Sequence, residues 1–338
     1  MLDVHCWTLN VLKARSILII KPSSLGDIVH TLPAVAAIRD ANPTAQITWV
    51  INPEWAPLLR GNRDVNHVHI FPRGDFRGPA AAFNLLHWRK ETRRLRPDVA
   101  LDFQGLLRSA FIARSSCARE IFGMSDAREG SRFFYDRIAH VDRRAHAVER
   151  YLKLAETFGA PIPTDLRFPL PTGDALPRFG EDSPFILLHP YARGRRKSLS
   201  NGVIIEFCRI FAPMRVILVG HTHRKISPPD NCLNLANQTT LLQLIHLIRT
   251  AQFTISVDSG PMHIAAAIYD RLISIHTWSD PLRVGPYNPN AWVWKNGELR
   301  RVRDFAAATT IKGNRAFTLD HVALIVEHVR RHCGLVAF

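Results

Sequence analysis

Cysteine is sparse and unpatterned in this chain. The five residues, Cys6, Cys117, Cys208, Cys232 and Cys333, show no paired spacing. That argues against a disulfide framework or a zinc site and for a reducing compartment. No apolar run approaches the roughly 18 residues needed to cross a bilayer. The opening M-L-D-V-H-C-W-T-L-N lacks the basic and apolar regions of a secretory signal. Residues before Ser16 read as a short extension or as the result of a start codon placed too early. The first strand–turn is not G-x-G-x-x-G, which disfavours a dinucleotide dehydrogenase. No Asp-x-Asp follows a strand, so no obligatory metal is expected. No aromatic platform or recognition helix appears, which excludes the usual nucleic-acid modules. Acidic residues are also scarce, 29 against 44 lysines and arginines, for a formal charge of +15.

The positive charge is spread: 24 basic against 17 acidic residues through Leu170, and 20 against 12 after it. It therefore belongs to the body of the protein and not to a tail. A basic body suits an anionic partner, whether nucleic acid, a phosphorylated glycolipid or an anionic membrane surface, and equally a merely well-solvated exterior. The run His87 to Arg96 reads as a helix with a solvated basic face. An apolar fraction of 46% in 338 residues exceeds one usual core and predicts two domains.

Strand-like runs at Ile17–Ile20, Ile47–Ile51, Val68–Phe71 and Val99–Leu101 alternate with helical stretches, among them Leu32–Asp40 and Ala80–Leu95. This rhythm predicts a parallel sheet covered on both faces. It breaks in the proline-rich segment Gly159–Pro184, a candidate linker. It then restarts, with strands at Phe185–Leu188, Val216–Val219, Phe253–Val257 and Leu272–Ile275. The helices of this second part are expected at Gly202–Phe211, Thr240–Arg249, Gly260–Ile268 and Leu319–Arg331. Two such halves, 1–172 and 173–338, are expected to leave a ligand cleft between their facing sheet edges. The last helix is a candidate to pack back on the first domain.

Chemistry concentrates where strands end. After Ile17–Ile20 come Lys21, Ser23, Ser24, Gly26 and Asp27, and a turn at the carboxyl edge of a parallel sheet is where ligands bind. Asp27 has two readings: an acid set against the helix macrodipole, or a general base taking a proton from an acceptor hydroxyl. Lys21 is an edge cation or a point charge for phosphate. After Phe253–Val257 come Asp258, Ser259, Gly260 and His263. There Ser259 can cap a helix whose open N–H groups would take phosphate, while His263 reads as a packed histidine or a ligand contact. After Phe185–Leu188 a loop carries Arg193, Arg195, Arg196 and Lys197, four cations within five residues, suited to a diphosphate. L-D-F-Q-G-L-L-R-S-A, with Gln104 and Arg108, repeats the strand–turn–helix form, and H-A-V-E-R (His146 to Arg150) reads as a helix start.

Taken together, K-P-S-S-L-G-D-I-V-H-T-L-P, D-F-Q-G-L-L-R-S-A, H-A-V-E-R, S-V-D-S-G-P-M-H-I-A-A-A and the S-D-P at Ser279–Pro281 resemble the ADP-heptose:lipopolysaccharide heptosyltransferases, glycosyltransferase family 9. The pattern is most similar to the type that adds the first heptose. The resemblance covers the chain from Ser16 onward. It implies an α/β GT-B fold of two Rossmann-like domains facing across a cleft, and inverting transfer without a covalent intermediate. It implies Asp27 as the base. Lys197, Asp258, Ser259, Gly260 and His263 would lie on the donor side, and Lys21, Ser24, Gly26 and Gln104 on the acceptor side. Arg73, Arg77 and Arg128 would meet an acidic or phosphorylated acceptor.

The partners so implied are a nucleoside-diphosphate sugar, an anionic lipid-linked saccharide and an inner-leaflet surface, with no obligatory cofactor and no nucleic acid. The protein would work in the cytoplasm, peripheral to the inner membrane. Two departures leave the base and sugar of the donor open. Ser198-Leu199-Ser200 stands where family members carry Trp-Pro after the loop lysine, and no acid follows Gly220. A family 9 transferase with another donor or acceptor, or a non-catalytic nucleotide-sugar or glycan-binding protein of the same fold, are the competing readings.

Overall fold

The computed structural model describes residues 14–176, 183–194, 197–306 and 315–334. Arg195, Arg196 and Cys6, singled out above, lie outside them. The chain divides into two compact units after Leu170.

The first unit alternates β1 (Ser16–Ile20), α1 (Leu25–Ala41), β2 (Gln46–Ile51), β3 (His67–Ile70), α2 (Ala81–Leu95), β4 (Val99–Asp102), α3 (Leu107–Ser115), β5 (Glu120–Met124), β6 (Arg137–Ala139) and α4 (Ala147–Phe158). The six strands are all parallel, in the order β3-β2-β1-β4-β5-β6. β1 is central, so both its faces are covered, and Ile17 to Ile20 are buried. Each such side chain contributes about 1.5–3 kcal/mol of transfer free energy. An unbroken apolar run is what a two-faced parallel strand requires.

α1 begins at Leu25, seven residues before the helical stretch expected from the sequence. Pro33 lies inside the helix. The helix tolerates it because it is held on all sides: Ile28 to Ile38 are buried without interruption. α4 packs along α1, with the His30 and His146 rings edge to face at 4.8 Å.

The second unit holds β7 (Phe185–His189), α5 (Asn201–Phe211), β8 (Arg215–Leu218), β9 (Cys232–Asn234), α6 (Leu241–Thr250), β10 (Phe253–Val257) and α7 (Gly260–Ile268). After these come β11 (Leu272–His276), α8 (Pro281–Val284), β12 (Trp292–Lys295), β13 (Glu298–Arg301), α9 (Val302–Ala306) and α10 (Asp320–His332). Its sheet runs β13-β12-β11-β10-β7-β8-β9, parallel except for the β12–β13 pair. Its core gathers Ile186, Phe207, Ile255, Ile273 and Trp294. In α10, Val322, Ile325, Val326 and Val329 join this same core, and Arg330 donates to the Ile210 carbonyl at the end of α5. Its apolar stripe is satisfied within the second unit. Among the described residues no helix is long and apolar enough to cross a membrane.

Each sheet reverses its strand order once, between β1 and β4 in the first and between β7 and β10 in the second. At such a point the connections diverge to opposite faces and leave a crevice at the carboxyl ends of the strands.

Candidate active site

At the first reversal, β1 and β4 end level, Ile20 beside Asp102. Lys21 follows and is only 2% exposed. Its ammonium donates to the Phe103 carbonyl at 2.8 Å and to the Tyr151 hydroxyl at 2.7 Å. Burial pushes its pKa down, against the pull of Asp27 and Asp102. Lys21 was expected to face the acceptor. It lies beneath the turn, its charge spent on Tyr151, because a cation at the end of a central strand has protein on every side.

Ser24 is the N-cap of α1 and Asp27 its third residue. The Ser24 hydroxyl and backbone N–H donate to Asp27 Oδ2 at 2.7 and 3.2 Å. The other oxygen, Oδ1, lies 3.5 Å from the Tyr151 hydroxyl. Tyr151 already accepts from Lys21, so its own proton is directed at Asp27. Burial, then the Asp27 charge, raise its pKa well above 10, which keeps it a donor. Asp27 is thus a half-buried carboxylate held by a helix start, a serine and a tyrosine, and sits beside a buried cation. A carboxylate so oriented is placed to serve as a general base.

The turn after β4 is fixed from below. Buried Asp102 accepts from the Gln104 and Gly105 N–H groups, the Ser109 hydroxyl and the Tyr135 hydroxyl. Burial raises its pKa against these four donors. Gln104 Oε1 takes the Ser23 N–H at 3.4 Å. Ser23, Asn52, Arg73, Gln104 and Arg108 line one pocket of this unit, with Pro22. Arg128 is exposed, and its N–H bonds the Gly105 carbonyl at 2.9 Å, beside the same turn. Arg77 is exposed between β3 and α2 and is not part of the pocket lining. Gly26 is buried in the first turn of α1.

The second reversal sets Ser256 beside His189. Asp258 follows β10, and its Oδ2 accepts from Lys197 Nζ at 2.6 Å and from the Ser279 hydroxyl at 2.6 Å. Burial pushes the Asp258 carboxyl up, but the neighbouring donors outweigh it and hold its pKa below the usual range. Because Ser279 spends its proton on Asp258, its oxygen accepts from His276 Nδ1 at 2.9 Å. His276 Nε2 then accepts from the Ser274 hydroxyl at 2.6 Å. This chain fixes one neutral tautomer. Burial drives the His276 pKa to about 4, with Asp258 opposing and His263 adding to the fall. His263, half-buried, is the fourth residue of α7.

Ser259 occupies the N-cap of α7, yet its side chain does not cap. It turns to His189 Nδ1 at 3.1 Å and to the Val257 carbonyl. The expected cap is absent: the serine side chain accepts no helix N–H, Pro261 has none to give, and the Met262 N–H bonds the Ser259 carbonyl at 3.1 Å at the start of this nine-residue helix. A helix start with no side-chain cap favours an anion. Ser198-Leu199-Ser200 also gains a role. Ser198 closes the loop by accepting from the Ala192 N–H, Leu199 is buried, and Ser200 caps α5 by accepting from Val203. Tyr151 and His276 were not singled out by the sequence reading, and Ser279 entered it only as the start of S-D-P. H-A-V-E-R and S-D-P were the signals within or beside which Tyr151 and Ser279 stood. Among the described residues no group of three His, Cys, Asp or Glu side chains is placed to hold a metal ion.

Residues 86–313 match the model of glycosyltransferase family 9 (heptosyltransferase). The chain belongs to that family. Its family 9 relatives include the lipopolysaccharide core heptosyltransferase OpsX of Haemophilus influenzae, 23% identical, with 94% of this chain and 96% of the relative covered. Lipopolysaccharide heptosyltransferase 1 of Escherichia coli K12 is 26% identical, over 82% and 92%. Among solved structures, E. coli heptosyltransferase WaaC with ADP superposes with a TM-score of 0.73 at 22% identity, over 93% of this chain and 99% of WaaC. The two Rossmann-like units are those of the GT-B fold, and the family makes the chain a glycosyltransferase.

Proposed function

We propose that this family 9 enzyme transfers heptose from ADP-heptose to the inner core of a lipid-linked lipopolysaccharide precursor, with inversion. The relatives are lipopolysaccharide heptosyltransferases, and WaaC has been solved with ADP and with ADP-2-deoxy-2-fluoro heptose. The first unit activates the acceptor. Asp27 takes the proton of the attacking hydroxyl, and that oxygen forms the new bond to the anomeric carbon of the donor. The second unit holds the donor. As the bond from the anomeric carbon to the diphosphate breaks, charge grows on the leaving oxygens. Lys197 and the uncapped start of α7 neutralise it. Asp258, kept ionised by Lys197 and Ser279, takes the sugar hydroxyls. Arg73 and Arg128 meet acidic groups of the acceptor. The enzyme works on the cytoplasmic side, at the surface of the inner membrane.

The observation that carries this reading is the Asp27 carboxylate, oriented by Ser24 and Tyr151 at the reversal of the first sheet. Asp27→Ala is expected to lower kcat by about 100-fold or more, the range of a lost general base. Binding of ADP-heptose, read by thermal shift, should stay unchanged. Near wild-type turnover of the variant would remove Asp27 from the mechanism.

A further inference from the structure

α2 is anchored to the first unit along one side only. Trp88 and Thr92 are its buried residues, and Trp88 Nε1 donates to the Ile70 carbonyl at 2.7 Å. At about 100° per residue, Phe83, Leu86, Lys90, Arg93 and Arg94 fall within an arc of roughly 100° on the opposite side. Apolar groups occupy the first half of that face and cations the second. Phe83 is 73% and Leu86 63% exposed, with the His87 ring stacked beside Phe83 at 6.5 Å.

The face continues onto the neighbouring helix. The Arg89 guanidinium lies 5.8 Å from the centre of the Phe111 ring on α3. Leu107, Phe111 and Arg114 follow one another at helical spacing and are all exposed. α3 packs in turn on the short helical segment Ser131–Phe134, where Phe133 is 94% exposed beside exposed Arg132. Two acids lie within this region, and both are engaged: Glu91 with His87 at 3.3 Å, and Glu129 with the Leu107 N–H at 3.2 Å.

We infer that this face of α2, α3 and the Ser131–Phe134 segment docks on an anionic phospholipid surface. Exposed phenylalanine and leucine rimmed by arginine and lysine match a headgroup layer: the apolar groups reach the acyl boundary and the cations meet lipid phosphates. Isolated apolar side chains on a surface are ordinary, but a contiguous set of this size marks an interaction site. The charge pattern selects the partner: Arg89, Lys90, Arg93, Arg94, Arg114 and Arg132 give this face the charge that complements lipid phosphates. The face also borders the pocket at the turn carrying Gln104, since Arg108 on α3 lines that pocket. A lipid-linked acceptor would thus be met where it leaves the membrane. The inference rests on the acceptor assigned above and adds the surface that reaches it.

The test is flotation of the full-length protein with vesicles of phosphatidylglycerol and phosphatidylcholine, against pure phosphatidylcholine vesicles and against single-stranded RNA. Partition into the anionic vesicles is expected, weakening as salt is raised. The double variant F83D/L86D, and separately F133S, should lower that partition at least tenfold. Their melting temperature and their turnover of a deacylated, water-soluble acceptor should be unchanged. Absence of wild-type partition, equal partition of the variants, or a preference for RNA over vesicles would overturn the inference. Turnover of the soluble acceptor without vesicle binding removes the docking face and leaves the proposed function standing. Vesicle binding without turnover does the reverse.

Discussion

Asp27 and Asp258 show how one residue type takes two tasks from its surroundings. Asp27 is met by the Ser24 and Tyr151 hydroxyls and by the Ser24 N–H, which orient it for the proton it is proposed to take. Asp258 meets an ammonium and is braced by Ser279, which His276 orients in turn. Removing the brace tests this. Ser279→Ala takes a donor from Asp258 and an acceptor from His276, and should raise the donor KM several-fold with a smaller change in kcat. Ser279→Thr keeps the hydroxyl and should restore the KM. Equal losses in both variants would mean that Ser279 fills space only. Asp258 and Lys197 were visible in the sequence because charged groups just after an apolar strand are conspicuous. His276 and Ser279 were not, because a histidine at a strand end and a serine in a turn have many uses. Their alignment depends on β11 lying beside β10.

At the scale of elements, the turns that carry chemistry depend on pieces remote in sequence. The Gln104 turn hangs on Asp102, and Asp102 on Tyr135, whose ring packs over Gly123 of β5. A Cβ added at Gly123 would come within 2.2 Å of that ring. Gly123→Ala should therefore push Tyr135 off Asp102 and cost about 1–3 kcal/mol, read as a lower urea midpoint. It should also impair acceptor use more than donor binding. An unchanged midpoint would show that the ring has room to move. The central strands and the helices beside them were legible as apolar runs and amphipathic periods. β5, β6, β9, β12 and β13 were not anticipated. β6, β9 and β13 are short margin strands whose residues are largely exposed or half-buried, whereas β5 and β12 are buried like the central strands and were missed all the same.

For the whole molecule, the buried histidines bear on stability. Burial lowers His189 and His276 to about 4, while an unfolded histidine titrates near 6.5. Between those values the unfolded chain binds more protons, so stability falls as pH drops from about 6.5 towards 4. The loss is on the order of 3 kcal/mol for each histidine across the full interval. Melting temperatures measured between pH 7 and 5, above most carboxylate titrations, should decline steadily; a flat profile would mean that these rings are solvated.

The sequence by itself determined the two α/β units, the strands at their centres and the turns that hold Asp27, Lys197 and Asp258. Those features are local: an apolar run, a helical period and a polar cluster at their junction. Tertiary structure alone decided that Lys21 is buried under Tyr151, that Ser259 turns to His189 instead of capping its helix, and that α10 closes the second core. It also decided that α2 presents phenylalanine and arginine outward. Each of those outcomes depends on which distant segment arrives as a neighbour, and strand order sets that, not composition or spacing.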